Sequence, residues 1–334
     1  MPDRSTPNRN TPNRNTPNRR AQPAMTEASF RELYDRLRAS RPWGPEDRRG
    51  ALNYLTPAEV VAAMGQVRLG RTVSLEAPVE DQVTKDNPDP ARHPMTGTAD
   101  DAKPSGVSFA MDRIEMNVHG NADSHMDALC HVMYDGTLYN GVPTGTISSK
   151  GAAELTIEVA KDGVVGRGVL LDIPRLRGVP WLEPGDFVTA DDLVAAEQAQ
   201  QVRVGRGDLL FVRVGHRRRR NELGPWDAAS ARAGLHPAAM EFIADRQVAV
   251  LGSDSNNDTA GSNNDPAGNA ADQVGFPVHV LAINALGVHL LDYLQFGELV
   301  LACEEAGRWS FLCVIAPLRL QGGTGSPVNP IAIL

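Results

Sequence analysis

Apolar residues along this chain recur at helical spacing in a few stretches and alternate or cluster in short runs elsewhere. Phe30, Leu33 and Leu37 lie one turn apart, which predicts a helix over residues 26–40 capped by Thr26. Thr56-Pro57-Ala58-Glu59 sets a capping hydroxyl, then proline at the first helical position and glutamate at the third, so a second helix should run to about Gln66. Two further helices are expected at 152–161 and at 191–201, the latter opened by Thr189. Alternation predicts strands at 72–79 and 107–118, separated by a polar, proline-rich loop at 85–98. Short apolar runs at 169–173, 209–214, 248–252 and 309–315 read as buried strands. Strands outnumber helices and do not alternate strictly with them, which argues for a mixed α/β fold rather than a doubly wound sheet.

The first 24 residues break this pattern. Thr-Pro-Asn-Arg recurs at Thr6, Thr11 and Thr16 with almost nothing apolar between, so residues 1–24 are expected to be a disordered tail. That tail carries a net +4 and leaves −12 for the rest, against −8 for the whole chain. It lacks the apolar stretch of a secretory signal, and Met25 is an alternative start. Nothing after it reads as a linker, so residues 25–334 are expected to form one domain.

Charge and composition then narrow the function. A negative body is the wrong sign for a protein that grips nucleic-acid phosphates. The most apolar window, 274–294, contains His279, Asn284, His289 and Asp292, so it is no membrane span. Three scattered cysteines, Cys130, Cys303 and Cys313, make neither a disulfide framework nor a four-cysteine zinc site. A reduced, cytoplasmic protein is the expectation.

The chemistry concentrates between Val118 and Gly141. Three histidines (His119, His125, His131) and two aspartates (Asp123, Asp127) fall within thirteen residues. His125 and Asp127 are two apart, so an extended segment points both to one face, where imidazole and carboxylate can share a divalent ion. His131 follows one helical turn later and can stand beside that ion without binding it. Such donors suit zinc or manganese. The competing reading is a polar turn whose histidines cap backbone groups.

Ser124-His125-Met126-Asp127-Ala128-Leu129-Cys130-His131 resembles the His-x-Gly-Thr-His-x-Asp-x-x-x-His signature of the metal-dependent cyclase-like hydrolases, the family of bacterial kynurenine formamidase and isatin hydrolase. The resemblance extends from about Trp43 to Leu334. It includes Trp43-Gly44-Pro45-Glu46-Asp47, Gly50-Ala51-Leu52-Asn53, Leu55-Thr56-Pro57, Tyr139-Asn140-Gly141 and the closing segments 316–319 and 322–328. It implies a compact swivelling β/β/α domain, assembly as a homodimer or homotetramer, and a divalent cofactor, manganese or zinc. Carried over residue by residue, His125 and Asp127 are ligands and His131 is the acid/base.

The family's first histidine falls at Asn121, whose amide oxygen is a weaker donor suited to harder ions. His119 shares the face of Asn121 in an extended chain and is the alternative. Near the C-terminus His279 matches the family histidine, and Asp292, thirteen residues on, stands for the family glutamate with one methylene less. His289 competes for that position at a poorer spacing. The resemblance also places Asp254 in a turn lining the pocket, and Trp43 at a pocket wall shared with a neighbouring subunit.

Other features read more plainly. The polar run from Gly252 continues through a second Asn-Asn-Asp at 263–265, which is equally consistent with an ordinary loop beyond Asp254. Residues 216–220, His-Arg-Arg-Arg-Arg, are expected to be a solvated loop, since no aromatics interleave the charges, with a contact to an anionic substrate or another subunit as the second reading. Cys130 reads as a small buried residue, and 322–325 is too short for a phosphate loop. The resemblance implies hydrolysis of an amide, formamide or lactam C–N bond of a small metabolite, with His131 carrying the proton. Two alternatives stay open. One is a metal-dependent lyase or ring-closing enzyme of secondary metabolism. The other is a metal-poor relative that only binds a ligand, which Asn121 and Asp292 motivate.

Overall fold

The computed structural model describes residues 25–261 and 274–334, so the Thr-Pro-Asn-Arg tail and residues 263–265 lie outside the described residues. Helix α1 (Glu27–Ala39) starts where the Thr26 hydroxyl accepts the Ser29 amide, and it buries Phe30, Leu33, Tyr34 and Leu37. Helix α2 (Pro57–Met64) opens with the full Thr56/Glu59 capping box, and α3 (Ala190–Ala199) with its Thr189/Asp192 counterpart. Caps of this kind satisfy amides that a first turn leaves unpaired.

Among the described residues nine strands make one sheet: β1 (Thr72–Ser74), β2 (His125–Asp127), β3 (Val164–Asp172), β4 (Leu209–Arg213), β5 (Val250–Ser253), β6 (His289–Asp292), β7 (Ser310–Ile315), β8 (Gly325–Pro327) and β9 (Ile331–Ile333). Their spatial order is β1-β9-β7-β3-β4-β5-β6-β2-β8. The four central strands β3 to β6 run parallel, while β7 and β2 pair antiparallel on either side of them. Parallel strands covered on both faces carry continuous apolar runs, and Leu170, Leu171, Leu210, Phe211, Leu251 and Leu290 are fully buried here. Each such side chain stabilises the fold by about 1.5–3 kcal/mol. Helices α4 (His216–Leu223) and α5 (Met240–Asp245) lie between β4 and β5. Pro277–His279, continued by a π-helical stretch Val280–Leu286, leads into β6, and α6 (Gly297–Ala306) follows it.

Register decides what the sheet presents. Asp292 of β6 lies opposite His125 of β2, and Leu291 opposite Met126. Opposed residues of an antiparallel pair share a face, so His125, Asp127 and Asp292 line one side while Met126 and Leu291 fill the core.

Four expectations are corrected. Residues 152–161 form only the short helical turn Ile157–Ala160, because Leu155 takes a left-handed φ of 61° and Gly151–Ala152 pairs with Ile147–Ser148. Within 107–118 only Met111–Asp112 is a strand, paired to Met95–Gly97; the alternating Val107, Phe109, Met111 and Ile114 are exposed rather than packed. In residues 72–79 the strand stops at Ser74. Residues 216–220 open helix α4 instead of a solvated loop: His216 and Arg217 are buried, and Arg220 pairs with Glu80 at 2.6 Å and with Asp86. No helix among the described residues is long and apolar enough to cross a membrane.

Candidate metal centre

Strand β2 delivers His125 and Asp127 to a common point. His125 Nδ1 donates to the Asp123 carbonyl at 2.9 Å, leaving Nε2 for the site, 3.7 Å from Asp127 Oδ1. From the Pro277–His279 turn, His279 brings Nε2 to 3.4 Å from Asp127 Oδ2 and 3.4 Å from Asp292 Oδ2. Asp127 is 1% exposed, and its Oδ2 makes no hydrogen bond. Ligand atoms of His125, Asp127 and Asp292 all lie within 4.8 Å of one another. A buried carboxylate oxygen without a donor is costly, and imidazoles and carboxylates converging on it are the donor set of a zinc or manganese ion. These residues fit a divalent metal.

The charges around this point are mutually compensating. Burial alone would raise the Asp127 pKa, but His131, His119, His279 and His125 around it hold the carboxyl well below its usual range. Burial disfavours charge on His279 as well, yet Asp292, Asp127 and Asp258 together raise it well above an ordinary histidine.

A second group meets the first at Asp127. His119 places Nδ1 2.9 Å from Asp127 Oδ1 and Nε2 3.0 Å from the Thr324 hydroxyl. Gly325 permits this approach, since a Cβ there would sit 2.7 Å from His119 Cε1 and 2.7 Å from the Met126 carbonyl oxygen. The His119 ring stacks on His131, and His119, Asp127 and His131 also offer three ligand-type atoms close together. Burial drives the His131 pKa down to about 4 although Asp127 pulls it up, so near neutral pH the imidazole is uncharged.

Other residues singled out from sequence stand elsewhere. Asn121 turns its carbonyl oxygen to the Tyr293 hydroxyl at 3.0 Å, and His119 is the residue that reaches Asp127. Asp254 spends both oxygens on the amides of Val214 and Gly215, at 2.7 and 2.9 Å, fixing the turn from β4 into α4. Trp43 packs edge-on to Tyr54 and lines a cavity of about 90 Å³ with Arg41, Gln247 and Leu286, to which none of the cluster residues contributes. His289 is fully buried with neither ring nitrogen bonded, and burial lowers its pKa to about 4. Three residues from Asp292, it lies on the opposite face of β6. Cys130 is buried, which pushes its thiol up to about 11 and leaves it unreactive.

Sequence reasoning missed Asn256, Asn257 and Asp258, which contact Asp292 and His279, and Thr324. The available signal was an uninterrupted polar run directly after a buried strand. Beside the cluster, an open cleft of about 290 Å³ is lined by Asn87, Asp89, Asn117, His119, Asn121 and Asp123.

A family model described as putative cyclase matches residues 54–257, more than half of the chain. The chain belongs to the putative cyclase family. Its likeness extends past the matched stretch: a crystal structure of a novel cyclase is 33% identical, with TM-score 0.78 over 90% of this chain and 99% of the other. Isatin hydrolase of Roseibium aggregatum is 23% identical over 155 residues, 45% of this chain; the match spans about half of that relative, 53% of its length. Isatin hydrolase A of Labrenzia aggregata, solved with benzyl benzoate, shares the fold at 19% identity and TM-score 0.55, covering 82% of this chain and 97% of the other. This cyclase-family member thus has the mixed α/β architecture expected from its sequence.

Proposed function

We propose that this cyclase-family protein is a metal-dependent hydrolase that cleaves an amide, formamide or lactam C–N bond of a small metabolite. The observation carrying this reading is the convergence on the unbonded Asp127 Oδ2, with the His131 ring stacked on His119 alongside. His125, Asp127, His279 and Asp292 would hold the ion, with His119 at Asp127 Oδ1 as a further donor. A divalent ion bound there polarises a carbonyl and lowers the pKa of water to roughly 7. The chain's own residues do the rest. His131, uncharged and held against His119, takes a proton from water at an imidazole nitrogen and returns it to the departing nitrogen. Asp127 balances the positive charge His131 then carries.

The likeness to isatin hydrolase supports a lactam as substrate, and the family's description as cyclase favours a ring-closing or lyase reaction as the second reading. Exposed Val107, Phe109 and Met111 support association of copies into a homodimer or homotetramer, which sedimentation checks. To test the function, metal-free protein is loaded with Mn²⁺ or Zn²⁺ and offered cyclic imides, lactams and aryl formamides in 18-oxygen water. Metal-dependent turnover with label in the product acid supports hydrolysis. Turnover without label favours the lyase or cyclase reading, and a protein that retains no ion defeats both.

A further inference from the structure

We propose that the buried segment 253–258 is a positioning loop for the two C-terminal ligands, with Asp258 deciding which nitrogen of His279 faces the ion. This rests on the metal reading given above. All six residues, Ser253, Asp254, Ser255, Asn256, Asn257 and Asp258, are buried. Burying polar side chains together is costly unless hydrogen bonds compensate them; here Asn256, Asn257 and Asp258 bond the candidate ligands, while the Ser255 hydroxyl and the side-chain oxygens of Asn256 and Asn257 make no hydrogen bond.

Asp258 accepts the Val278 amide at 2.6 Å through Oδ1. Its Oδ2 takes the His279 amide at 3.1 Å and His279 Nδ1 at 2.5 Å. With Nδ1 engaged by a carboxylate, Nε2 is the nitrogen turned to Asp127 and Asp292. Asn256 donates to Asp292 Oδ2 at 2.6 Å, and Asn257 donates to Asp292 Oδ1 at 2.6 Å and to the Leu291 carbonyl at 3.1 Å. Asp292 therefore cannot rotate without breaking bonds to two amides.

The loop is itself pinned. Asp254 ties it to the β4–α4 turn, the Asn257 carbonyl accepts the Leu235 amide at 2.7 Å, and Arg232 Nε donates to the Asp258 carbonyl at 3.0 Å. A Cβ at Gly234 would lie 2.3 Å from the Asp258 carbonyl carbon, so that position admits glycine alone. Asn257 holds a left-handed φ of 30°. Such strain persists where surrounding contacts over-determine the backbone.

A carboxylate behind a ligating histidine fixes its tautomer and orientation, and losing it typically costs 10–100-fold in metal affinity. In Asp258→Asn the amide can present N–H to Nδ1, which would leave the proton on Nε2. The experiment titrates zinc into the metal-free full chain against a chromophoric chelator, and records long-range ¹H–¹⁵N imidazole spectra of the zinc-loaded wild type. Wild type should bind zinc with His279 protonated on Nδ1, and Asp258→Asn should bind about 10–100-fold more weakly with unchanged far-ultraviolet circular dichroism. Equal affinities, or zinc on Nδ1 of His279, overturn the proposal. If the variant does not fold, the wild-type spectrum decides alone. Wild type without zinc affinity removes the metal reading and the proposal together, a result distinct from equal affinities in the two proteins.

Discussion

The imidazoles of His119 and His131 lie face to face, with centroids 3.7 Å apart and planes 9° from parallel. His119 is the member bonded to Asp127, while burial keeps His131 neutral near pH 7. The stack thus distinguishes the two rings: His119 is fixed at the carboxylate, and His131 is the one left for the proton transfer proposed above.

That division predicts the behaviour of His131→Ala. Metal should stay bound while turnover falls at least about 100-fold, as for a lost acid/base group. Elemental analysis beside kcat on a substrate found in the lactam screen provides the check. Metal lost along with activity would make His131 a ligand.

Asp127 is the junction of both histidine groups, so its removal should be more damaging than that of any one imidazole. Asp127→Ala is expected to retain no ion after dialysis, and His125→Ala a small fraction. Metal contents equal to wild type in both variants would falsify the site.

His119 and Asn121 should behave differently although they are neighbours in sequence. His119→Ala should accelerate metal release to a chelator. Asn121→Ala should leave release rates within about twofold and cost on the order of 1 kcal/mol through the lost Tyr293 hydrogen bond. Faster release from Asn121→Ala than from His119→Ala would exchange their roles.

A fourth expectation concerns acid stability. Burial would raise Asp86, but hydrogen bonds from Arg220 and Thr84 and the Arg220 charge overrule it and leave the carboxyl below its usual value. Because the folded pKa is the lower one, this contribution is present above the unfolded pKa of about 3.9 and disappears as pH falls through the folded value. Melting temperature should therefore drop in acid, with a shallower fall in Asp86→Asn. Arg220→Met leaves the fully buried Asp86 side chain without its cation and should destabilise the protein by about 3–5 kcal/mol at neutral pH. Thermal melts between pH 3 and 7 test both; identical acid limbs in wild type and Asp86→Asn would remove Asp86 as their source.

What the sequence revealed was mostly local. Thr26, Thr56 and Thr189 announce their helices because a cap and its partners lie within three residues. The shared face of His125 and Asp127 follows from strand period alone. Helix α4 was hidden because the groups that neutralise Arg220 are Glu80 and Asp86, more than 130 residues earlier. The alternation at 107–118 misled because Val107, Phe109, Met111 and Ile114 face solvent in a single chain. Asn256, Asn257 and Asp258 looked like loop because their partners, Asp292 and His279, come 21 to 36 residues later, across residues with no pattern to place them.

Strand β2 has only three residues, and its hydrogen-bonded neighbours are β6 and β8. Both are made long after it. Synthesis at 5–20 residues per second would bring Pro327 about 10–40 s after Asp127. During that interval His125 and Asp127 belong to a segment without its edges, and no ion can find its full set of donors. The centre is therefore a late event in folding, assembled from distant pieces of chain, and metal captured early by the isolated motif would have to be shared again when β6 arrives.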